Sequence, residues 1–271
     1  TASVTDATVL SVSASSSAAA GTYSVRVLQL AQSHQVVSKA AKAVSSETGD
    51  IVSAGSATFT FRVGAGENQT VTLGSTGSLT DLRDQINNAG AGVTASVINT
   101  GTEAAPAYRL ALTVNNTGSA NAITIVADGT DLDLLNGSGS GGLDTLAAAQ
   151  NAQIQLGDQA LNPLSIERSS NTVSDAITGV TLTLTKTTGS GTVQVSLSQD
   201  VNAVKTNIQA LATAYNEVVK FINERTTYDA TAKQGGVFFN ESSARTVLSQ
   251  LRTALSSSVS GATVYSGVGQ I

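Results

Sequence analysis

Few residues in this sequence have types and spacing that could do chemistry. His34 is the only histidine, and the chain has no cysteine. A Ser-His-Asp triad would have to use His34, yet that residue lies in a soft polar segment with no nucleophile motif beside it. The missing cysteines exclude disulfide scaffolds, thiolate nucleophiles and cysteine-bound zinc. We therefore interpret His34 as an exposed linker residue without a catalytic role.

Three aspartates lie close together in the stretch DGTDLD, at Asp128, Asp131 and Asp133. Clustered carboxylates can bind calcium, but the glycine stands at the wrong place for a helix-loop-helix calcium site and no bidentate glutamate follows. The pattern favours a solvated loop, with a weak metal site as the alternative. We predict no metal here.

A glycine pattern further along resembles a nucleotide-binding motif. Gly137, Gly139 and Gly142 satisfy G-x-G-x-x-G. That motif requires a buried parallel strand before it and a βαβ unit around it, whereas the preceding residues are acidic and suit a loop. We interpret the stretch as a linker. The sequence therefore predicts neither a cofactor nor an enzyme.

The composition favours thin β-rich domains over one large globule. Of the 271 residues, 12% are charged and 4% aromatic, so burial must come from many small aliphatic contacts. The net charge of −5 argues against nucleic acid or an anionic membrane as the main partner. No apolar run has the roughly 18 residues that a membrane helix needs. Because the chain starts at Thr1 without a cleavable signal pattern, we expect it to be a fragment.

The first half of the chain predicts strands around one short helix. Ser78 and Asp81 form a capping box before a helix at 78–89, and Asn88 and Gly90 suit its C-terminus. Residues 32–49 are polar and small and indicate a connector. Alternating residues predict a strand pair, a hairpin and three further strands at 8–14, 22–30, 57–63, 70–73, 92–99, 107–114 and 121–127.

The second half predicts more strands and then a change to helix. Residues 129–146 form a glycine- and aspartate-rich break, and 171–179 fits a helical turn or a tight loop that Gly179 closes. Strand patterns lie at 152–157, 164–168, 180–186 and 192–198. We therefore expect an α+β or mainly β fold with a helical C-terminal third.

A heptad seam is the strongest pattern in the C-terminal third. With Asp200 as N-cap, its apolar residues recur at spacings of three and four, at Val201, Val204, Ile208, Leu211, Tyr215, Val218 and Ile222. A second helix is expected near 241–259, with Val247 or Leu248, Leu251, Leu255 and Val259 on one face. We favour a core between these two helices, with a surface that meets other subunits or other helices as the alternative.

Three stretches of the sequence resemble the bacterial flagellar filament cap, the hook-associated protein 2 family. INNAGAGVTASVIN at 86–99 resembles the hook "IN" motif that several flagellar axial proteins share. DVNAVKTNIQALATAYNEVVKFI at 200–222 resembles the start of the family's C-terminal helical region through Ala214, Tyr215 and Asn216. IERSSNTVSDAITGVTLTLTK at 166–186 resembles its R-x-S-N-x-x-x-D-x-x-x-G-V-T-L-x-L segment, through Arg168, Asn171, Asp175, Gly179, Val180, Thr181 and Leu182.

The resemblance implies a nested layout in a fragment that lacks both termini. A middle β-rich head domain takes 1–46 plus 147–200, an inserted outer α+β head domain takes 47–146, and an incomplete helical leg takes 201–271. It further implies an extracellular structural cap at the filament tip, exported without a cleaved signal peptide. Several copies of the chain would form a plate that retains exported flagellin and promotes its folding and insertion. Partners would be further copies, flagellin and filament or junction proteins.

Two other functions stay open from the sequence. Another axial protein, such as a junction protein or a flagellin outer domain, could share the "IN" motif. A surface adhesin for mucin or glycans could use the β heads, but their only aromatic residues are Tyr23, Phe59, Phe61 and Tyr108.

Overall fold

Short antiparallel strands and three α-helices make up most of the part of the chain that the structure describes. The computed structural model describes residues 1–53, 55–135, 142–231 and 233–256. These residues belong to two units, Thr1–Gln199 and Asp200–Ile271. The first unit is β-rich and the second is mainly helical, as the sequence predicts.

Within its described residues, the first unit contains one α-helix, α1 (Leu79–Asn88), and a short 3₁₀ turn at Ala40–Lys42. Its strands are, in chain order, β1 (Ala2–Val4), β2 (Leu10–Ala14), β3 (Gly21–Gln29), β4 (Ser33–Ser38), β5 (Ala57–Val63), β6 (Gln69–Leu73), β7 (Val93–Asn99), β8 (Tyr108–Thr117), β9 (Ile123–Asp128), β10 (Leu143–Ala147), β11 (Ala152–Leu156), β12 (Leu164–Arg168), β13 (Thr172–Ile177), β14 (Val180–Leu184) and β15 (Val193–Leu197).

Two separate apolar clusters lie inside the first unit. The first, core A, is enclosed by a five-stranded sheet of order β1-β15-β3-β11-β12 and a three-stranded sheet of order β13-β14-β2. Alternate residues of these strands point inward because side chains on a strand have a period of two. Its buried residues include Leu10, Val25, Val27, Ile154, Val180, Leu182 and Val195.

The second cluster, core B, lies between a four-stranded sheet of order β10-β4-β8-β7, a three-stranded sheet of order β6-β5-β9, and α1. The hairpin of β5 and β6 and the helix α1 confirm the sequence predictions for this region. Its largest fully buried residues include Phe59, Phe61, Leu79, Leu82, Ile86, Leu110 and Leu112.

Three predictions about strands in the first unit are wrong. Residues 32–49 are not a plain connector, because β4 buries Val36, Val37 and Ser38 between β10 and β8. The predicted pair 8–14 and 22–30 is split, since β2 pairs with β14 while β3 pairs with β15 and β11. Local alternation identifies a strand but carries no information about its partner.

The third error concerns 171–179, which forms β13 and not a helical turn. β13 lies at the edge of a three-stranded antiparallel sheet, and one face of such a sheet can remain exposed to solvent. Its sequence is therefore rich in threonine and serine and lacks the apolar pattern from which a strand is predicted. The predicted break at 129–146 ends in β10, and Gly137 and Gly139 of the glycine pattern lie outside the described residues.

The second unit begins with α2 (Val201–Thr226), whose N-cap Asp200 accepts a hydrogen bond from the Ala203 amide at 2.8 Å. Two short strands follow, β16 (Tyr228–Asp229) and β17 (Gln234–Gly235), and then α3 (Ser242–Ser256). Both helices confirm the prediction for this region. Val259, at the predicted end of the second helix, lies outside the described residues.

Candidate functional site

His34 lies on β4 and is half-buried, so its interpretation as an exposed linker residue is wrong. Its Nδ1 accepts a hydrogen bond of 3.0 Å from the Ile123 amide at the start of β9. Burial lowers the pKa of His34 below its ordinary value, which favours the neutral imidazole that this bond requires. The residue therefore links two sheets around core B.

The three clustered aspartates each bind a different group of the protein. Asp128 accepts hydrogen bonds from the amide and hydroxyl of Thr130, and Asp131 accepts one from the Ser53 hydroxyl at 2.7 Å. Asp133 faces Lys42 at 3.9 Å. Within the residues that the structure describes, no group of three acidic or histidine side chains could hold a metal ion. The cluster instead shapes the loop that buries Leu132 and Leu134.

Arg168 and Asp175, two positions of the predicted family motif, form a solvent-exposed ion pair between the two sheets that enclose core A. The Arg168 Nε donates to both carboxylate oxygens of Asp175, at 2.8 and 3.0 Å. This hydrogen bond holds the pKa of Asp175 below its ordinary value. Because Arg168 ends β12 and Asp175 lies on β13, the pair joins the edges of the two sheets.

Asn171 occupies the turn between these two strands and binds the main chain of Ala31 with both ends of its side-chain amide. Its Oδ1 accepts from the Ala31 amide at 2.7 Å, and its Nδ2 donates to the Ala31 carbonyl at 2.9 Å. Ala31 lies two residues after the end of β3 and is buried in core A. Asn171 therefore anchors the chain where it leaves core A.

Gly179 makes the tight turn between β13 and β14 at a φ of +75°, a conformation that favours glycine. Its carbonyl accepts from the Ser15 amide at 2.8 Å, and a Cβ on it would lie 2.7 Å from the Ala18 nitrogen. The following Val180 and Thr181 pair with Ala14 and Ser13 of β2. The motif positions of the first unit are therefore structural positions around core A.

The hook-like stretch at 86–99 forms the last turn of α1 and then the sheet-edge strand β7. Ile86 is fully buried in core B. The adjacent Asn87 accepts from the Ala95 amide at 2.7 Å and donates to the Ala95 carbonyl at 3.0 Å. Gly90 and Gly92, both at positive φ, turn the chain between the helix and the strand. The Ile-Asn pair thus fixes the helix to the strand edge.

The seam on α2 divides into two rows with different surroundings. Ile222 is buried, and Ile208 and Tyr215 are partly buried. The Tyr215 hydroxyl accepts a hydrogen bond of 3.4 Å from the Arg252 Nε of α3. The other row is largely exposed, at 58% for Val204, 47% for Leu211 and 39% for Val218. Val201 and Asn216 are exposed as well.

This division corrects the expectation that the whole seam is core between the two helices. Only the row of Ile208, Tyr215 and Ile222, together with the partly buried Leu248, Leu251 and Leu255 of α3, is withdrawn from solvent. A helix of 26 residues carries an a row and a d row, and one antiparallel neighbour of 15 residues covers a single stripe of it. The exposed row fits the alternative of a surface for further helices.

An apolar groove of about 630 Å³ continues this exposed row toward the end of α2. Phe221 and Phe238 form its aromatic wall, with ring centroids 6.2 Å apart in an edge-to-face arrangement. Val218 and Val247 line it, and Glu217 lies beside them. Sequence reasoning missed Phe221, which lies three residues after Val218 and so extends the same helical face.

No helix within the described parts of the chain has both the length and the apolar character that crossing a membrane requires.

Three family models match parts of this chain, and together they indicate the class of protein to which it belongs. Residues 58–116, which contain α1 and β7, match the family model described as the flagellin hook IN motif. Residues 1–34 match the N-terminal model and residues 149–270 the C-terminal model of flagellar hook-associated protein 2. The fold and these motifs define a protein of the flagellar axial structures.

Individual relatives identify the family. The chain is 32% identical to flagellar hook-associated protein 2 of Escherichia coli K12, over all of this chain and 58% of that protein. It superposes on the crystal structure of the D1-D2-D3 domains of the E. coli flagellar cap protein FliD with a TM-score of 0.83 and 31% identity, covering 100% of this chain and 72% of that one. The FliD structure from Pseudomonas aeruginosa gives 0.65 and 27%, covering 82% and 98%. The chain belongs to the flagellar hook-associated protein 2 family and spans just over half the length of the E. coli relative.

Proposed function

We propose that this chain is the head and part of the leg of a structural cap at the distal end of the bacterial flagellar filament. The match of the whole of this chain to the D1-D2-D3 domains of the E. coli flagellar cap protein carries this proposal. The cap would retain exported flagellin and promote its folding and insertion. The role needs shape and reversible contacts and no bond-making chemistry, which agrees with His34 and the aspartates being engaged in structural hydrogen bonds.

The nested domain layout is part of this proposal. Two separate apolar cores support an outer head around core B inserted into a middle head around core A. The N-terminal family model ends at residue 34 and the C-terminal model begins at residue 149, on either side of core B. Since β4 belongs to the sheet of core B, we propose an insert that begins near residue 33, ahead of the sequence expectation of 47.

The leg would carry contacts to other helices of the cap. Val204, Leu211 and Val218 recur every seven residues along α2, and the groove at Phe221 continues their row. A row with this period matches an a or d position of a helical bundle. We propose that helices from further leg segments or from neighbouring copies cover it, which makes self-assembly the main partner interaction, with flagellin and junction proteins as further partners.

The alternatives receive less support. Phe59 and Phe61 are fully buried and Tyr23 and Tyr108 are partly buried, so these four aromatics do not form an exposed platform for sugars. The family models cover both ends of the chain with hook-associated protein 2 and only its middle with the shared motif. A filament cap is therefore favoured over a junction protein, a flagellin outer domain or an adhesin.

A complementation experiment tests the capping role. In a flagellated strain lacking its own cap gene, the full-length protein containing this chain should restore filaments and lower the amount of flagellin released into the medium. The full-length protein with Leu211→Glu in α2 should fold but should restore few filaments and release more flagellin than the parent. The Asn216→Ala variant, changed on the exposed surface of α2, should behave as the parent. Unrestored filaments with the well-expressed, exported parent protein would contradict the proposal.

A further inference from the structure

The two β cores of the first unit are joined by two short chain crossings. Residues 30–32 run from β3 to β4, and residues 148–151 return from β10 to β11. The crossings are tied to each other by an antiparallel bridge between Gln32 and Gln150. Its two main-chain hydrogen bonds measure 2.9 and 3.2 Å. Both connections between the cores thus pass through one small region.

Side-chain amides reinforce this region by bonding across it. The Gln29 Nε2, at the end of β3 just before the first crossing, donates to the Asn151 carbonyl of the second crossing at 2.8 Å. In return, the Gln150 Nε2 donates to the Leu30 carbonyl at 3.1 Å. Each crossing therefore satisfies main-chain groups of the other, and the pair has the bonding pattern of a two-stranded ribbon extended by its side chains.

A second contact between the cores lies beside the crossings. The end of β8 and the turn after it, in core B, reach the loop after β12, in core A. The hydroxyl of Thr117, the last residue of β8, donates to the Ser169 carbonyl at 2.6 Å. The Ser119 amide donates to the Asn151 Oδ1 at 2.7 Å. These two backbone segments approach so closely that a Cβ on Gly118 would lie 2.6 Å from the Ser169 Cβ. Two attachment points restrict rotation far more than one.

Asn151 and Asn171 connect the joint to core A. The Asn151 Nδ2 donates to the Glu167 carboxylate on β12 at 2.6 Å, so this side chain bonds strands of core A and the turn of core B at once. Asn171 holds both main-chain groups of Ala31, the residue before Gln32. Asn151 therefore fixes the second attachment point to core A, and Asn171 fixes the first crossing to core A.

We infer that this amide joint locks core A and core B at one angle, so that the first unit behaves as a rigid elbow with Asn151 and Asn171 as its positioning residues. Apolar contacts are non-directional and allow packed surfaces to slide, whereas hydrogen bonds weaken steeply when their angle changes. The two apolar clusters do not merge, and the bonds between them are made mostly by main-chain groups and side-chain amides, which fix direction.

The absence of native cysteine allows a direct distance measurement across the joint. Spin labels at Glu103→Cys, in an exposed loop of core B, and Thr187→Cys, in an exposed loop of core A, would be measured by double electron–electron resonance in the 271-residue chain. The expected result is one narrow distance distribution in the parent, and at least a twofold broader one in the Asn151→Ala/Asn171→Ala double variant.

Asn115→Ala is the matched control, since its side chain bonds Thr94 within core B and does not reach the joint. It should keep the parental distribution. If the double variant fails to fold by circular dichroism, Asn171→Ala alone is measured and judged by the same criterion. A broad distribution in the parent, or a folded joint variant as narrow as the parent, would overturn the elbow.

Discussion

The side chain of Asn87 pairs with the main chain of Ala95 as a neighbouring strand would. The two hydrogen bonds, of 2.7 and 3.0 Å, join the last turn of α1 to the edge strand β7. In the antiparallel pair of β7 and β8, the amide and carbonyl of Ala95 point away from β8, because Gly92 and Asn115 form a hydrogen-bonded pair three positions earlier. Asn87 thus closes an edge that could otherwise accept another strand.

Replacing Asn87 by alanine should loosen this edge. We expect Asn87→Ala to lower the free energy of unfolding of core B by about 1–2 kcal/mol, since two hydrogen bonds are lost. The freed edge should also raise self-association, measured by sedimentation velocity together with urea unfolding. Asn88→Ala, at the next exposed helix position, is the control. Equal stability and equal sedimentation for the two variants would refute the role given to Asn87.

The bond from Ile123 to His34 makes the stability of core B depend on pH. Burial lowers the pKa of His34 below the ordinary histidine value of about 6.5, so the unfolded chain takes up this proton at a higher pH than the folded chain does. The stability that the neutral imidazole contributes is therefore complete above about pH 6.5 and is lost as the pH falls below it.

Thermal unfolding from pH 8 to pH 5 measures this loss. His34→Gln removes the titrating group and keeps an acceptor oxygen for the Ile123 amide, so its stability should vary less over the same range. Identical pH profiles for parent and variant would show that His34 does not couple folding to protonation. This prediction follows from the half-buried position of His34 and not from the interpretation of His34 as an exposed linker residue, which rested on its polar neighbours in the sequence.

Alanine substitutions at two glycines, Gly179 and Gly189, distinguish the cost of backbone strain from the cost of steric crowding. Gly179 and Gly189 both have positive φ, but only at Gly179 would a Cβ meet close neighbours, the Ser17 Oγ at 2.6 Å and the Ala18 nitrogen at 2.7 Å. Gly189→Ala should cost about 1 kcal/mol from its backbone conformation alone. Gly179→Ala should cost at least about twice as much, as measured by chemical unfolding of core A. Comparable losses would indicate that the turn moves freely to admit a side chain.

The two rows on α2 should respond differently to truncation. Ile222 is 7% exposed, so Ile222→Ala should destabilise the second unit by about 2–5 kcal/mol. Leu211 is 47% exposed, and Leu211→Ala should change stability by less than about 1 kcal/mol. Instead, Leu211→Ala should weaken assembly of the full-length protein, measured by sedimentation. A large loss of stability with unchanged assembly would show that Leu211 acts as a core residue and not as part of an assembly surface.

Local patterns in the sequence were sufficient for the elements that depend on neighbouring residues. The capping box of Ser78 and Asp81 defines the start of α1, and Asp200 defines the start of α2, because a cap bonds amides two or three residues away. The hairpin at 57–73 was predicted for the same reason, since its two strands are joined by one short loop. The resemblance of 166–186 to the family motif was also recognisable from the sequence, because it depends only on residue types at fixed spacings.

The pairing of distant strands was decided by the tertiary structure. β4 looks like a polar connector in sequence, and it becomes a central strand because β8 and β10, more than 70 residues away, bury Val36 and Val37. The heptad on α2 likewise does not state which of its rows meets α3, since both rows are equally apolar. Burial is a property of what packs against a side chain, and for His34, Asn87 and Asn171 the partners that define their roles lie 89, 8 and 140 residues away.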